Sequence, residues 1–296
     1  MTGATTMPGE TAVDAPVATP GNRWLRFASR NPTIVIGGLL LSILVVLAVA
    51  APWITADPFK QTAINRLRPP SEKFWFGTDR FGRDIFARTL HGASVSLRVG
   101  LSVAAIASLI GLALGLLCGY MKRVDAIVMR VMDGIMAIPS ILLAIALVTL
   151  SRPGLGTVIT AIVIPEIPRV VRVVRAVVLS IRSQPYIESA IAGGTRTGKL
   201  LVRHILPNTV APLIVQATYV CASAMLIEAG LSFLGAGVPL EIPSWGNSIA
   251  QSRDFFLIAP WAILIPGSFL ALTVLAVNML GDGLRDRLDP RLARRM

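Results

Sequence analysis

The sequence predicts an all-α integral membrane protein with six transmembrane helices. Of its 296 residues, 54% are hydrophobic and only 15% are charged, and the mean hydropathy is +0.69. Soluble domains carry about 25% charged residues, so this composition excludes an ordinary soluble enzyme. The apolar residues also form long, nearly uncharged blocks without the alternation of a β-strand. Blocks of about 20 apolar residues are long enough to cross a bilayer as helices.

Six apolar blocks define the predicted spans. They cover residues 34–54, 99–120, about 128–150, 155 into the 170s, 210–234 and 257–280. The predicted organisation is a largely disordered cytoplasmic tail (1–33), the first transmembrane helix (34–54), an extracytoplasmic loop (55–92), a five-helix core (93–281) that includes a cytoplasmic loop (182–208), and a basic cytoplasmic tail (282–296). In the fourth block Pro165 and Pro168 flank Glu166, so we expect a broken or kinked helix there.

The positive charge is explained by membrane topology. The formal net charge is +12, but Lys and Arg lie between the apolar blocks and in the tails, which does not indicate a nucleic-acid-binding surface. Their modest excess on one side predicts cytoplasmic N- and C-termini in a multi-pass protein of the cytoplasmic membrane. Cys118 and Cys221 both lie in apolar blocks, so we expect free, buried thiols, with neither a disulfide nor a metal site.

A cytoplasmic segment between the fourth and fifth spans has the most informative pattern. Glu188, Ser189 and Ala190 are followed by Gly194 and then by a Leu-Pro pair at residues 206–207. This pattern resembles the "EAA" loop of ATP-binding-cassette (ABC) importer permeases, with serine in place of the second alanine. The pattern predicts a short helix, a turn at a glycine, and a second helix that ends before a proline. The resemblance implies a contact with ATPase subunits through these residues: Glu188, Ser189, Ala190, Gly194, His204, Leu206 and Pro207.

Two further patterns resemble the dipeptide/oligopeptide/nickel branch of these permeases, and specifically its C subunit. One runs from Glu228 through residues 229–235 and continues at 243–246, which include Trp245. The other lies in the predicted outer loop and contains Asp79, Arg83 and Asp84. The three matches occur in the expected order and on consistent sides of the membrane.

The resemblance implies a type I ABC importer permease fold, also described as MetI-like. It further implies a second homologous permease as heterodimer partner, two ABC ATPase subunits, an extracytoplasmic substrate-binding protein and a peptide substrate. ATP and Mg²⁺ would be used by the partner subunits, with no cofactor bound by this chain and no catalysis by it. Two alternatives stay open: the same architecture importing nickel or another small solute, and an ion-gradient or voltage-driven carrier or channel.

Two other patterns have simpler explanations. Residues 193–199 fit the spacing of a phosphate-binding loop, but Leu200 replaces the hydroxyl residue that would hold Mg²⁺ and no buried strand precedes the segment. Arg169, Arg172 and Arg175 repeat every third residue as in a voltage-sensing helix. Because this repeat runs straight into the cytoplasmic loop, we expect these arginines to lie at headgroups or to pair with acids.

Two carboxylates fall within predicted spans and are therefore candidate pathway residues. A charge inside the bilayer costs about 2.5–3.5 kcal/mol on insertion scales, so such residues usually have a function. Glu166, with Pro165 and Pro168, is expected either to line the pathway or to form a structural ion pair with a neighbouring arginine. Glu228, near the outer end of the fifth span, is expected to gate or cap the outer mouth.

Overall fold

The computed structural model describes residues 31–288, and their secondary structure is helical. We number the α-helices α1 to α10 in chain order: Pro32–Ile54, Ile85–Tyr120, Lys122–Met136, Ser140–Thr149, Leu155–Arg182, Pro185–Ala192, Thr197–Leu200, Leu206–Phe233, Trp245–Ser252 and Trp261–Leu288. Short 3₁₀ turns lie at Ala63–Asn65 and Arg253–Phe255, and a π-helical turn at Leu201–Ile205. Most of the predicted N-terminal tail and the last part of the C-terminal tail lie outside the described residues.

The long helices agree with a multi-span membrane protein. Among residues 31–288, four helical stretches are long and apolar enough to cross a membrane: α1, α2, the stretch from Thr197 to Phe233, and α10. Helices α3 and α4 meet the same test together but are bent by 87°. If α3 and α4 together form one span, the described residues contain five candidate spans. Helix α5, with 28 residues, corresponds to the remaining predicted span.

Helices α2 and α5 pack closely along a stripe of glycines. An ideal Cβ placed on Gly111, Gly115 or Gly119 would lie 2.5, 2.6 and 2.5 Å from the Cβ atoms of Val170, Val174 and Val178. Glycines four residues apart let two membrane helices approach more closely than any side chain would permit. This packing holds α5, and therefore Glu166, firmly against the centre of the bundle.

The chain has a sharp bend at a proline that the sequence analysis did not single out. A broken or kinked helix was expected at Pro165 and Pro168, and the break is absent, because α5 is one continuous α-helix from Leu155 to Arg182. The chain bends instead between α3 and α4, at residues 137–139. Pro139 immediately precedes α4 and disfavours helical backbone at Ile138. In α5 the same effect is overridden by the tight packing against α2.

Two helix ends also differ from the prediction. Helix α2 begins at Ile85, so residues 85–92 are helical and not part of an irregular loop. Asp84 explains this start, because its carboxylate accepts a hydrogen bond of 2.9 Å from the Phe86 N–H, as an N-cap does. Burial raises the pKa of the Asp84 carboxyl above its usual value, and this effect outweighs the lowering of the pKa by hydrogen bonds from the backbone N–H groups of Phe86 and Ala87. At the other end of the chain, α10 continues to Leu288, into the segment predicted as a tail.

Candidate functional site

The segment predicted to be cytoplasmic, residues 182–208, contains the surface helix α6 near its start. Its Ile187 is completely buried and anchors the helix, while Glu188 and Ser189 are exposed. Two large apolar side chains on the same helix, Tyr186 and Ile191, are 48% and 46% exposed. A helix of eight residues is too short to be stable alone and depends on packing. Helix α6 is therefore fixed by one face and presents a mixed apolar and acidic surface on the other.

A glycine reverses the chain after α6, as the pattern predicted. The Thr195 N–H donates to the Ala190 carbonyl at 3.0 Å, and the Gly194 N–H donates to the Ile191 carbonyl at 3.0 Å. Gly194 has a φ of +77°, a region that L-residues with a Cβ rarely adopt. The predicted turn at a glycine is thus present, and its conformation is one that favours glycine. The turn leads into α7, where Leu200 is completely buried.

The second half of the segment differs from the prediction. The helix was expected to stop before Pro207, but helical backbone continues through the π-helical turn into α8, where Pro207 lies in the first turn. A proline ring is tolerated there because the first helical N–H groups lack partners in any case. His204 lies in the π-helical turn, and its carbonyl accepts from the Asn208 side chain at 2.7 Å. Leu206 is the first residue of α8.

Residues 193–199, which have the spacing of a phosphate-binding loop, lack the structural context of one. Lys199 lies on the short helix α7, and the element before the turn is helix α6 instead of a strand. Leu200 is buried and supplies no hydroxyl group. Nucleotide binding by this stretch would need both the strand context and the Mg²⁺-binding hydroxyl.

Glu166 is a buried carboxylate with two partners. Its side chain is completely buried, and its Oε1 accepts hydrogen bonds from Arg169 Nη1 at 3.1 Å and from Ser223 Oγ at 3.0 Å. Ser223 belongs to α8, so the carboxylate links α5 to the helix that continues from the cytoplasmic segment. The Arg169 side chain is 46% exposed and presents positive charge on the surface of α5. Pro165 and Pro168 are both buried beside it.

The other two arginines of the repeat pair with acids of α3. Arg172 lies 2.7 Å from Asp133, and Arg175 forms a two-pronged contact with Asp125. This confirms that the repeat forms ion pairs with acids, and the acids belong to the same chain. The pairs tie α3 to α5 at two places, Asp125 in the first turn of α3 and Asp133 in its last turn.

Glu228 is a buried carboxylate inside the chain. It is completely buried on α8, and its carboxylate accepts hydrogen bonds from Ser232 and Ser244, both at 2.9 Å, with Ser96 at 3.5 Å. These hydroxyls come from α8, from the residue that caps α9, and from α2. Glu228 therefore connects three elements, and it shares no bonded partner with Glu166. Any effect on the outer mouth would act through the position of α9.

Trp245, at the start of α9, lies beside the hydrogen-bonded group around Glu228. Its side chain is completely buried, and its Nε1 donates to the Thr89 carbonyl on α2 at 3.0 Å. Its backbone N–H lies 3.4 Å from Ser96 Oγ, next to the Glu228 carboxylate. The tryptophan thus fixes α9 against α2.

A buried polar cluster, which we call the outer clamp, joins Asp79 and Arg83 of the loop before α2 to Arg88 of α2 and Gln251 of α9. The Asp79 carboxylate lies 2.6 Å from Arg83 Nε and 4.0 Å from Arg88 Nε. It also accepts a hydrogen bond from the Arg83 backbone N–H at 2.9 Å. Arg83 Nη2 donates to Gln251 Oε1 on α9 at 2.6 Å. The outer clamp joins the loop to α9.

Several of these partners have no local signal in the sequence. Gln251 lies 168 positions from Arg83, Ser96 lies 132 positions from Glu228, and Ser223 lies 57 positions from Glu166. Serine and glutamine are common in helices, so only their spatial neighbours mark them. Cys118 and Cys221 are free and buried, as predicted.

The sequence matches two protein families. Residues 111–294 match the family described as binding-protein-dependent transport system inner membrane component. Residues 19–70 match the N-terminal transmembrane domain of oligopeptide transport permease C. The first match covers more than half of the chain and includes α3 to α10, the cytoplasmic segment and both buried carboxylates.

Curated relatives and solved structures agree with these matches. The chain is 57% identical to a probable peptide ABC transporter permease of Sinorhizobium fredii, over 92% of this chain and 93% of that protein. It is 42% identical to the dipeptide transport system permease protein of Alkalihalophilus pseudofirmus (89% and 87% covered) and 37% identical to the oligopeptide transport system permease protein of Bacillus subtilis (90% and 88%).

A solved structure shows the same fold. A chain of the inward-facing MetNI methionine ABC transporter superposes with a TM-score of 0.57 at 20% identity, over 68% of this chain and 96% of that chain. This confirms the predicted type I, MetI-like permease fold. The family match and the relatives also confirm a non-catalytic membrane subunit. The chain belongs to the family of inner membrane components of binding-protein-dependent transport systems.

Proposed function

We propose that this chain is the transmembrane permease subunit of an ATP-driven importer that carries peptides across the cytoplasmic membrane. The peptide cargo is supported by the names of the relatives, which are peptide, dipeptide and oligopeptide permeases. Membership of a binding-protein-dependent family argues against an ion-gradient or voltage-driven carrier. Nickel or another small solute is the alternative cargo, and an uptake experiment separates it from peptides.

One observation favours this function over a self-sufficient carrier: the surface of helix α6. Its exposed tyrosine, isoleucine and glutamate side chains lie on a helix that is anchored by only one buried residue. Exposed apolar side chains beside a charge are typical of a protein contact. We infer that two ABC ATPase subunits lie beneath the permeases and that one of them contacts α6. ATP and Mg²⁺ are then used by these partners and not by this chain.

The helical path from the cytoplasmic segment into the bundle provides the mechanism. Helical backbone runs without interruption from Thr197 to Phe233, so a displacement of α6 and its turn is passed on to α8. Helix α8 holds Glu166 through Ser223, and α5 holds α3 through the ion pair of Arg175 with Asp125. Closure of the ATPases would therefore tilt α8, α5 and α3 together. Such a motion alternates access between the two sides of the membrane.

The surfaces of the bundle suggest where the second, homologous permease lies. The exposed residues of α1 are apolar apart from Ser42, whose hydroxyl group donates to the Gly38 carbonyl; Leu39 and Val46 are 62% and 64% exposed, which suits contact with lipid. Helix α5 instead exposes Arg169 and Arg172. Charged groups in membrane proteins face the bundle interior or water. We place the second permease and the pathway on the α5 side, and an extracytoplasmic substrate-binding protein above it.

The proposed orientation is tested by cysteine accessibility. Both termini are cytoplasmic in this proposal, and the loop that follows α1 is outside. A Lys73→Cys variant is expected to react with a membrane-impermeant thiol reagent in intact cells, because Lys73 is an exposed loop residue. Lys199→Cys, also exposed but on the opposite side, is expected to react only after permeabilisation. The reverse result would show that the topology is inverted.

Uptake into vesicles tests the function. Vesicles that contain both permeases, the ATPases and the binding protein are expected to take up peptides only with ATP present. Glu188→Lys is expected to reduce ATPase recovery in a pull-down and to reduce uptake, because it reverses the charge on the exposed face of α6. Uptake of nickel without uptake of peptides would support the alternative cargo. Peptide uptake in the absence of the ATPases would contradict the proposal.

Glu166→Gln is expected to alter the transport rate while the complex still assembles. Glutamine can keep the hydrogen bond from Ser223, but it removes the charge that pairs with Arg169, so the guanidinium is released at the α5 surface. The initial rate of peptide uptake and the recovery of the complex measure the two effects. Asp133→Asn is the control, because its ion pair is exposed and worth about 0–1 kcal/mol. A normal rate for Glu166→Gln at all pH values and salt concentrations would rule out a pathway role.

A further inference from the structure

A cavity of about 340 Å³ lies between helices α4 and α5, one to three turns before Glu166 along α5. Its volume falls within the range of small-molecule sites, about 300–1,000 Å³. Three hydroxyl residues line it, Ser151, Thr157 and Thr160, together with Ala161 and Ile164. The lining residues carry no charge. In the proposed orientation, the cavity lies in the outer half of the membrane.

The three hydroxyl groups can act only as acceptors toward the cavity. Ser151 Oγ donates its proton to the Leu147 carbonyl at 2.9 Å, Thr157 Oγ1 to the Arg152 carbonyl at 2.7 Å, and Thr160 Oγ1 to the Gly156 carbonyl at 2.9 Å. A hydroxyl group has one proton and two lone pairs. Once the proton is used, the remaining lone pairs can only accept a hydrogen bond.

The two prolines of α5 add backbone acceptors at the same place. In an α-helix the N–H of residue i donates to the carbonyl of residue i−4, and proline has no N–H. Pro165 and Pro168 therefore leave the carbonyls of Ala161 and Ile164 without their helical donors. Both of these residues line the cavity. Inside a bilayer such free carbonyls are tolerated where they face protein or a water-filled space.

The donors lie at the other end of the cavity. Gly156 and Thr157 belong to the first turn of α5, where backbone N–H groups have no acceptor within the helix. From Gly156 to Ile164 the helix rises by about 12 Å. The residues that line the cavity thus include N–H groups without helical acceptors at its outer end, and two carbonyls without helical donors and three hydroxyl groups along its length.

We propose that this cavity is a transient binding site for the transported peptide and that it receives the amino-terminal ammonium at the free carbonyls of Ala161 and Ile164 and at Thr160 Oγ1. An ammonium group has three donors and no acceptor, which matches this lining. The carboxylate end of the peptide would face the N–H groups of the first turn. The inference rests on the proposed peptide transport and adds a group that the permease itself recognises.

The test uses the assembled transporter in vesicles and a Ser151→Cys variant, since Ser151 lines the cavity and is exposed. The rate of modification by a cationic thiol reagent is measured with alanyl-alanine, with N-acetyl-alanyl-alanine and without peptide. We expect alanyl-alanine to slow modification and the acetylated peptide to have little effect. Adding Thr160→Val is expected to weaken this protection by roughly threefold to tenfold, which corresponds to one hydrogen bond.

Thr149→Val is the matched control, because Thr149 Oγ1 also donates to carbonyls of its own helix but Thr149 does not line the cavity. Equal protection by both peptides, or by neither, would overturn the inference. Uptake of alanyl-alanine without selective protection would leave the proposed function standing and remove the site. Selective protection without uptake of any peptide would leave the site standing and remove the peptide cargo.

Discussion

Gly194→Val is expected to insert into the membrane and pair with the second permease, yet to lose most of its ATPase association and most of its uptake. Gly194 has a φ of +77°, and nothing lies within 4 Å of the position that a Cβ would occupy. The cost within this chain is therefore conformational, about 1–2 kcal/mol for an L-residue in the left-handed region. The turn can escape this strain by changing its φ, which would move α6 away from the position that the ATPase recognises.

The measurement compares the ATPase recovered in a pull-down with the total permease inserted in the membrane. Gly198→Val is a matched control in the same segment. Its added Cβ would also meet nothing within 4 Å, but Gly198 lies in helix α7 and has no positive φ. We expect this control to bind the ATPases and to transport at close to the normal rate. Equal recovery for both valine variants would mean that the turn conformation has no role in coupling.

Asp79→Ala is expected to destabilise the permease strongly, by about 3–5 kcal/mol, because it leaves buried positive charge without a counter-ion. Asp79, Arg83 and Arg88 are each no more than 5% exposed. Arg88 Nη2 already has no hydrogen-bond partner among the described residues. Without the carboxylate, two neighbouring guanidinium groups would be buried together. We expect a large fall in the thermal unfolding temperature of the purified permease, with release of the outer loop from α9.

Two variants separate charge from other effects. Asp79→Asn can still accept hydrogen bonds from the Phe81 and Arg83 backbone N–H groups, but it loses the charge and the oxygen that accepts from Arg83 Nε, so it tests the loss of the ion pair with the backbone bonds kept. Asp254→Ala removes an exposed ion-pair partner of Arg253, at 3.5 Å, and should change the free energy of unfolding by less than about 1 kcal/mol. If Asp79→Ala is no more destabilising than Asp254→Ala, the outer clamp does not stabilise the fold.

The features that the sequence predicted correctly are those that depend on neighbouring residues. The apolar blocks were visible because a membrane span needs about 20 consecutive apolar residues. The turn at Gly194 was visible because glycine alone adopts a positive φ without strain. The pairing of the arginine repeat with acids followed from the cost of leaving charge unpaired near the bilayer. The family motifs were also recognisable because each is a short pattern of residues that lie close together in the sequence.

Helix geometry was less predictable, because proline has different effects in different surroundings. Pro165 and Pro168 were expected to break a helix, but α5 continues through both since its glycine-lined contact with α2 holds it straight enough to remain helical. Pro139 instead precedes the 87° bend. The local cost of each proline is similar, and the packing around it decides whether the helix continues.

By itself, the sequence determined that this chain is a multi-span helical permease with a turn at Gly194, since these properties arise from hydropathy and short-range backbone preferences. Only the tertiary structure decided the partners of its buried charges. Glu228 is held by serines of three elements, and Arg83 reaches a glutamine 168 positions away. A buried charge must find hydrogen bonds wherever the folded chain brings polar groups near it, and sequence distance places no limit on where those groups originate.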